Sequence, residues 1–384
     1  HTPQSKIYFK KLALQTKQLA DFEHFDDKVV FDVTLQNSRL SLKDLSYFVP
    51  DLKGMTQRVY VAADVKDVLK RLSVEQFRLA FGQKSKLKGN FRLPDFRLEA
   101  NQLRFNELLQ FAHLDFQDLE NFQLPQGVAS IQIPVEIRAL NYLELKNTKL
   151  NGALNNFSLS VQKAKTQLGN FALAPLRVKQ EENGLTLTAV QSDTTLLKLE
   201  NFNLGPLADL TALGAASGQL NFSLQVFSDG NFAMNTLDAK FNTLVFNQYS
   251  YQNITIQDAS ILKNQLKAKV DIKDPHLSAQ ASLVFSIDGP INYQYELSVA
   301  NADLSLLGVG EREQNHLSFD LRGEIQGPSW SNISGYASAS NLLYREVNER
   351  LYTELAQVHF NQSNDDSFLQ FSSPMLDLNI AGHI

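Results

Sequence analysis

From Gly218 to Asp303 apolar and polar residues alternate through one short run after another, and few folds accommodate that pattern. Leu220, Phe222, Leu224 and Val226 are each separated by one polar residue. Leu266, Ala268, Val270 and Ile272 alternate with Lys267, Lys269, Asp271 and Lys273. Leu277, Ala279, Ala281, Leu283, Phe285 and Ile287 share one phase, and Tyr293, Tyr295, Leu297 and Val299 take it up again. Side chains of an extended strand point to opposite faces in turn, so a period of two means one dry face and one wet face. Ser228-Asp229-Gly230 and Asp288-Gly289-Pro290 stand between runs. Asp-Gly turns join antiparallel neighbours, so the runs predict hairpins. The dry face needs a cover, and this stretch contains no long amphipathic helix to provide one.

The rest of the chain repeats the pattern. Strands are expected at Val29–Gln36, Phe77–Phe81, Leu87–Leu93, Leu98–Phe105, Leu143–Lys149, Phe157–Gln162, Phe171–Lys179 and Leu317–Ile325. Others are expected near Val358–Phe360, Phe368–Phe371 and Leu376–Ile380. Ile131, Ile133 and Val135 alternate with Gln132, Pro134 and Glu136, which predicts a strand with an edge or bulge at the proline. Asn183-Gly184 is a two-residue hairpin signal. Short helices are expected at Ser41–Pro50, with Ser41 as N-cap, at Asp64–Leu72, around Gly205–Leu213, and at Asn341–Leu355. Roughly 25 strand-like runs emerge, with no strict repeat and no linker that divides the chain. The fold class is all-β and mostly antiparallel. On periodicity alone a second sheet could cover the dry face, as in a sandwich, or a ligand could.

Composition removes several functions. The formal net charge is −5, so nucleic acid is not an expected partner. No cysteine is present, so disulfides and thiolate metal sites are excluded. No run of about 18 apolar residues occurs, so no helix of this sequence spans a bilayer. The seven histidines show neither H-x-H nor H-x-x-x-H spacing. The adjacent carboxylates Asp26-Asp27, Glu181-Glu182 and Asp365-Asp366 read as solvated loops. Nucleophile-elbow, P-loop and dinucleotide-binding signatures are missing. No enzymatic activity, metal or cofactor is expected. A carbohydrate-active β-solenoid would need carboxylates clustered on one face, which the alternation does not supply.

Several stretches resemble the AsmA superfamily, and within it the TamB-like translocation and assembly proteins of the Bacteroidetes branch. Asp44-Leu45-Ser46-Tyr47-Phe48-Val49-Pro50 is similar to a short helix before a strand in that family, and Leu87-Lys88-Gly89-Asn90-Phe91-Arg92-Leu93 to a G-x-F strand opening. Phe202-Asn203-Leu204-Gly205-Pro206-Leu207 resembles a recurring F-x-L-G-x-L turn. Phe246–Ile254 resembles a Y-x-Y-x-N-I strand, followed in order by Ile272–Leu277 and Ala300–Leu304. Where relatives place glycine at strand ends, this chain often has Asn, Asp or Lys.

The resemblance implies an elongated sheet rolled into an open, taco-like groove with an apolar lining. It implies a periplasmic location in a diderm bacterium, an inner-membrane anchor N-terminal to this segment, and a BamA-like outer-membrane partner of the TamA or TamL type. Phospholipid acyl chains would then cover the dry face. Residues 1–384 are expected to form a single groove segment of a longer protein, with 1–136 and 137–384 as candidate sub-segments. The expected lining is Leu220, Phe222, Leu224, Val226, Leu266, Val270, Ile272, Leu283, Phe285, Ile287, Tyr293, Tyr295, Leu297 and Val299, with Ile131, Ile133 and Val135. The competing reading is a scaffold that assists outer-membrane barrel assembly by strand pairing.

Overall fold

The computed structural model describes residues 4–47, 54–92, 104–122, 135–153, 155–191, 195–229, 231–262, 264–309, 315–362 and 367–382. The chain forms two compact units, His1–Leu210 and Thr211–Ile384. Both are built from antiparallel strands, as the alternation predicts.

The strands of the first unit are β1 (Lys6–Gln15), β2 (Val30–Ser41), β3 (Arg58–Val68), β4 (Ser73–Phe81), β5 (Ser85–Arg92) and β6 (Arg104–Asp115). They continue with β7 (Tyr142–Ala153), β8 (Asn156–Lys165), β9 (Asn170–Glu181), β10 (Gly184–Ala189) and β11 (Leu197–Asn203). From β1 to β9 each strand pairs with the next in the chain. The free edge of β9 is then shared by β10 and β11. One-turn helices punctuate the series: α1 (Phe25–Lys28), α2 (Leu42–Leu45), α3 (Phe116–Glu120), α4 (Val135–Arg138) and α5 (Gly205–Ala208). Ser41 does precede α2, but its side chain makes no capping bond and its hydroxyl donates instead to Gln4 Oε1 at 3.1 Å. The core of this unit gathers Leu42, Met55, Val59 and Phe81, with Leu79, Leu87 and Phe122 against them.

The second unit is a meander of β12 (Leu213–Phe227), β13 (Phe232–Phe246), β14 (Tyr249–Leu262), β15 (Gln265–Lys273), β16 (Leu277–Ser286) and β17 (Ile291–Asp303). It proceeds through β18 (His316–Ser329), β19 (Asn332–Arg345), β20 (Arg350–Gln362), β21 (Phe368–Ser372) and β22 (Asp377–Ala381). Each pairs antiparallel with its successor.

Three sequence expectations are corrected. Asp64–Val68 is the end of β3, and only Leu69–Arg71 makes a 3-10 turn. Val65 stands opposite Val33 and Val74, and pairing on two sides outweighs a short helical face carried by β-branched residues. Asn341–Leu355 is no helix but the end of β19, a turn, and the start of β20. Asn341 has φ 54°, a left-handed residue inside the strand. That bulge moves the apolar phase from Gly335, Ala337 and Ala339 to Leu342 and Tyr344, and the shifted spacing imitates a helical period. Val135, expected in a strand, begins α4. The preceding residue is proline, which lacks a ladder donor and suits a helix start. Ile131 and Ile133 lie outside the described residues.

The hairpin signalled by Asn183-Gly184 forms one residue earlier. Glu181 pairs with Gly184, so Glu182-Asn183 is the loop.

Candidate functional site

Register decides which side chains share a face, because residues directly opposite in a ladder point the same way. One row crosses every strand of the second unit: Leu224, Met234, Ile261, Leu266, Phe285, Tyr293, Ile325, Gly335, Phe360, Leu369 and Ile380. Every member is apolar or aromatic. A parallel row runs through Leu220, Ala239, Ile256, Val270, Ala281, Leu297, Leu321, Ala339 and Ala356. Leu283 and Tyr295 lie between these rows, Phe222 and Val226 join them from β12, and Ile272 and Val299 meet Ala279 toward the other end. Ile287 departs from the expected lining. It sits beyond the end of β16 and is 56% exposed.

The opposite face is polar. Lys269, Ser282, Glu296, Arg322, Ser338 and Gln357 form one of its rows. Lys267, Lys269 and Gln294 are exposed, as their phase predicts, and Asp271 is half-buried beside Lys273.

The apolar face is not sealed. Leu220, Phe222, Leu224, Leu266, Val270, Leu283, Phe285, Tyr295 and Leu297 are all only half-buried. A buried cluster forms at one end, where Ala279, Val299, Ala302 and Leu307 gather with Leu277, Leu297, Leu304 and Phe319 around them. Leu307 reaches this position because the turn after β17 folds back. Asp303 holds that turn by accepting from Ser305 Oγ at 2.7 Å and Leu306 N at 3.2 Å. The Ser305 hydroxyl and the Leu306 amide, with His316 and His276 nearby, keep the Asp303 carboxyl below its ordinary range despite burial.

A second carboxylate anchors the same end. Asp274 is buried and accepts from Tyr249 Oη at 2.7 Å, Gln252 N at 2.8 Å and His276 N at 2.8 Å. Burial, together with the bond to Asp274, pushes the Tyr249 hydroxyl up to about 12. These groups bind one another and the backbone; none is paired as nucleophile and base.

Toward the middle the face is shaped by glycine. A Cβ on Gly323 would lie 2.4 Å from Tyr295 Oη, so the tyrosine ring rests on bare backbone. A Cβ on Gly335 would lie 2.9 Å from Phe360 Cζ. Phe285 meets Tyr293 edge-on at 5.4 Å, and Tyr293 meets Trp330 at 5.7 Å. Gly323, Gly335, Ile325 and Phe360 were absent from the expected lining. The alternation in Leu317–Ile325 marks a strand, but only register reveals which aromatic lies over which glycine.

Among the described residues no three His, Asp or Glu side chains are grouped to hold a metal, and no helix is long and apolar enough to cross a membrane. No family model, curated protein or solved structure matches the chain.

Proposed function

We propose that the second unit carries phospholipid acyl chains along its apolar face, as part of a periplasmic bridge that supports outer-membrane biogenesis. The observation that carries this reading is the unbroken apolar row from Leu224 to Ile380, whose large members stay partly open to water. A contiguous apolar row left partly open to water marks an interaction site.

The mechanism is passive. Each CH₂ group removed from water gains about 0.8 kcal/mol, so a tail of ~16 carbons strongly favours the face over solvent. Successive positions along the rows offer similar burial, so a tail shifts by one strand with little net change. Headgroups remain in water, and no bond is made or broken. The resemblance to TamB-like proteins supplies the setting: an inner-membrane anchor on one side and a BamA-like partner on the other.

The test is Val270→Asp combined with Phe285→Asp, on the paired strands β15 and β16. In an open face both carboxylates reach water, and circular dichroism should report a folded protein with a modest loss of melting temperature. Lipid detected by native mass spectrometry should fall sharply. A folded variant with undiminished lipid overturns the conduit, and a variant that cannot fold indicates a sealed core.

A further inference from the structure

We propose that the polar face of the first unit docks onto a bilayer surface bearing anionic lipid. The whole chain is acidic, but its charge is divided. Residues 1–210 hold 27 Lys and Arg against 23 Asp and Glu, a net of +4; residues 211–384 hold 9 against 18, a net of −9.

Register gathers many cations of the first unit into two adjacent rows of one face. One row running from β1 to β8 reads Lys6, Arg39, Tyr60, Ala80, Lys86, His113, Glu144 and Lys165. The adjacent row contains Arg78, Lys88, Phe111, Lys146 and Lys163. These two rows hold eight cations against one carboxylate, Glu144, while Asp32, Asp64 and Glu75 lie further along β2 to β4. Among the described residues only Lys146 of the eight has an ion-pair partner, and that partner is Glu144 at 3.7 Å. The Arg39 Nε is buried with no hydrogen-bond partner at all.

Isolated lysines on a wet sheet face keep edges apart and need no ligand. Two adjacent rows of unneutralised cations are different, because mutual repulsion is a standing cost that an anionic surface relieves. Two of the clefts on this face are lined by these cations. One of about 450 Å³ includes Tyr60, Arg78, Lys86, Lys88 and Phe111, and another of about 290 Å³ includes Lys146, Lys163 and Lys165. Each has room for a phosphate-bearing headgroup.

The apolar residues around the cations favour a bilayer over an acidic protein. Tyr60 is 53% exposed within the first row, Tyr8 on the neighbouring β1 stands opposite Gln36 and is 48% exposed, and Phe111 stands between Lys88 and Lys146 in the second row. Aromatic side chains beside Lys and Arg are what a membrane–water interface accommodates. A second copy of this chain is the weaker candidate. Three outer-face carboxylates of its acidic unit are already engaged: Asp258 with Lys269, Asp271 with Lys273, and Asp320 with Ser298 and Asn341.

The experiment is co-sedimentation of the full chain with phosphatidylcholine vesicles, with and without phosphatidylglycerol, over a salt series. Binding should require phosphatidylglycerol and weaken as salt rises. Each exposed cation near an anionic surface contributes about 1 kcal/mol, a factor of about five. Arg78→Ser, Lys88→Ser and Lys163→Ser together should therefore weaken binding about a hundredfold while circular dichroism stays unchanged. Lys267→Ser with Lys269→Ser, on the other unit, should leave binding unaltered. Equal binding to pure phosphatidylcholine overturns the proposal, as does undiminished binding by the triple variant. So does binding to polyglutamate or self-association that the triple variant abolishes, with no vesicle binding. None of these readouts depends on lipid carried by the second unit.

Discussion

Asp118 accepts from three consecutive amides, Gln83 N, Lys84 N and Ser85 N, each at 2.8 Å, and so clamps α3 onto the β4–β5 turn. Burial alone would raise its pKa, but these bonds outweigh it and the carboxyl lies below its ordinary value. Its stabilising effect is then full above the unfolded carboxylate pKa of about 4 and is lost as pH falls through the lower folded value. Asp118→Asn should cost about 1–3 kcal/mol at neutral pH and flatten the acid limb of a stability–pH profile measured by urea titration. Gly82, in the same turn, has φ +61° and leaves no room for a Cβ, which would sit 2.2 Å from Asp118 Cγ. Tyr249 gives the opposite sign. Its raised pKa means stability that is full below pH 10 and lost as pH climbs through about 12, so a phenolate signal absent in Tyr249→Phe should emerge there. On the apolar face, Gly323→Ala should displace Tyr295 at a cost of about 1–3 kcal/mol. Adding Tyr295→Ala should recover part of that loss, and a double-mutant cycle in thermal melting measures the coupling.

At the scale of the element, strands were legible and their interruptions were not. Period two in Leu266–Ile272 or Tyr293–Val299 could mean only a strand. Inside several strands, however, single residues adopt left-handed backbone: Gln76, Asn147, Asn201, Asn253, Asp258 and Asn341. Asn and Asp tolerate this conformation because a short polar side chain can bond locally. Asn147 Nδ2 donates to Gln162 Oε1 at 2.5 Å, and Asn341 Nδ2 to Asp320 Oδ2 at 2.9 Å. Each such bulge resets the alternation, which is why Asn341–Leu355 looked helical. Asn341→Val should therefore destabilise β19 by about 1–2 kcal/mol, while Asn341→Gly should be close to neutral, in parallel chemical denaturation curves. The candidate site was legible as a stripe along each strand. Its continuity across strands was not, since that depends on register, and register passes through these bulges.

At the scale of the molecule, the most consequential feature is the strict succession of pairings. From β1 to β8, and again from β13 to β22, a strand's ladder partners are its neighbours in the chain. Contacts that are local in sequence close small loops, so folding should proceed hairpin by hairpin and quickly for so large a β protein. The same arrangement limits how far order is shared. With neighbour-only coupling, stability behaves as a chain of linked terms, not as one all-or-none core. Hydrogen exchange should report a gradient in the second unit, slowest in β15 to β18 and fastest in the short strands β21 and β22. A hairpin inserted or removed would change the reach of the sheet by two strands and leave the remaining ladders intact. Length in such a protein is a quantity that inheritance can adjust in whole hairpins, without redesigning a fold.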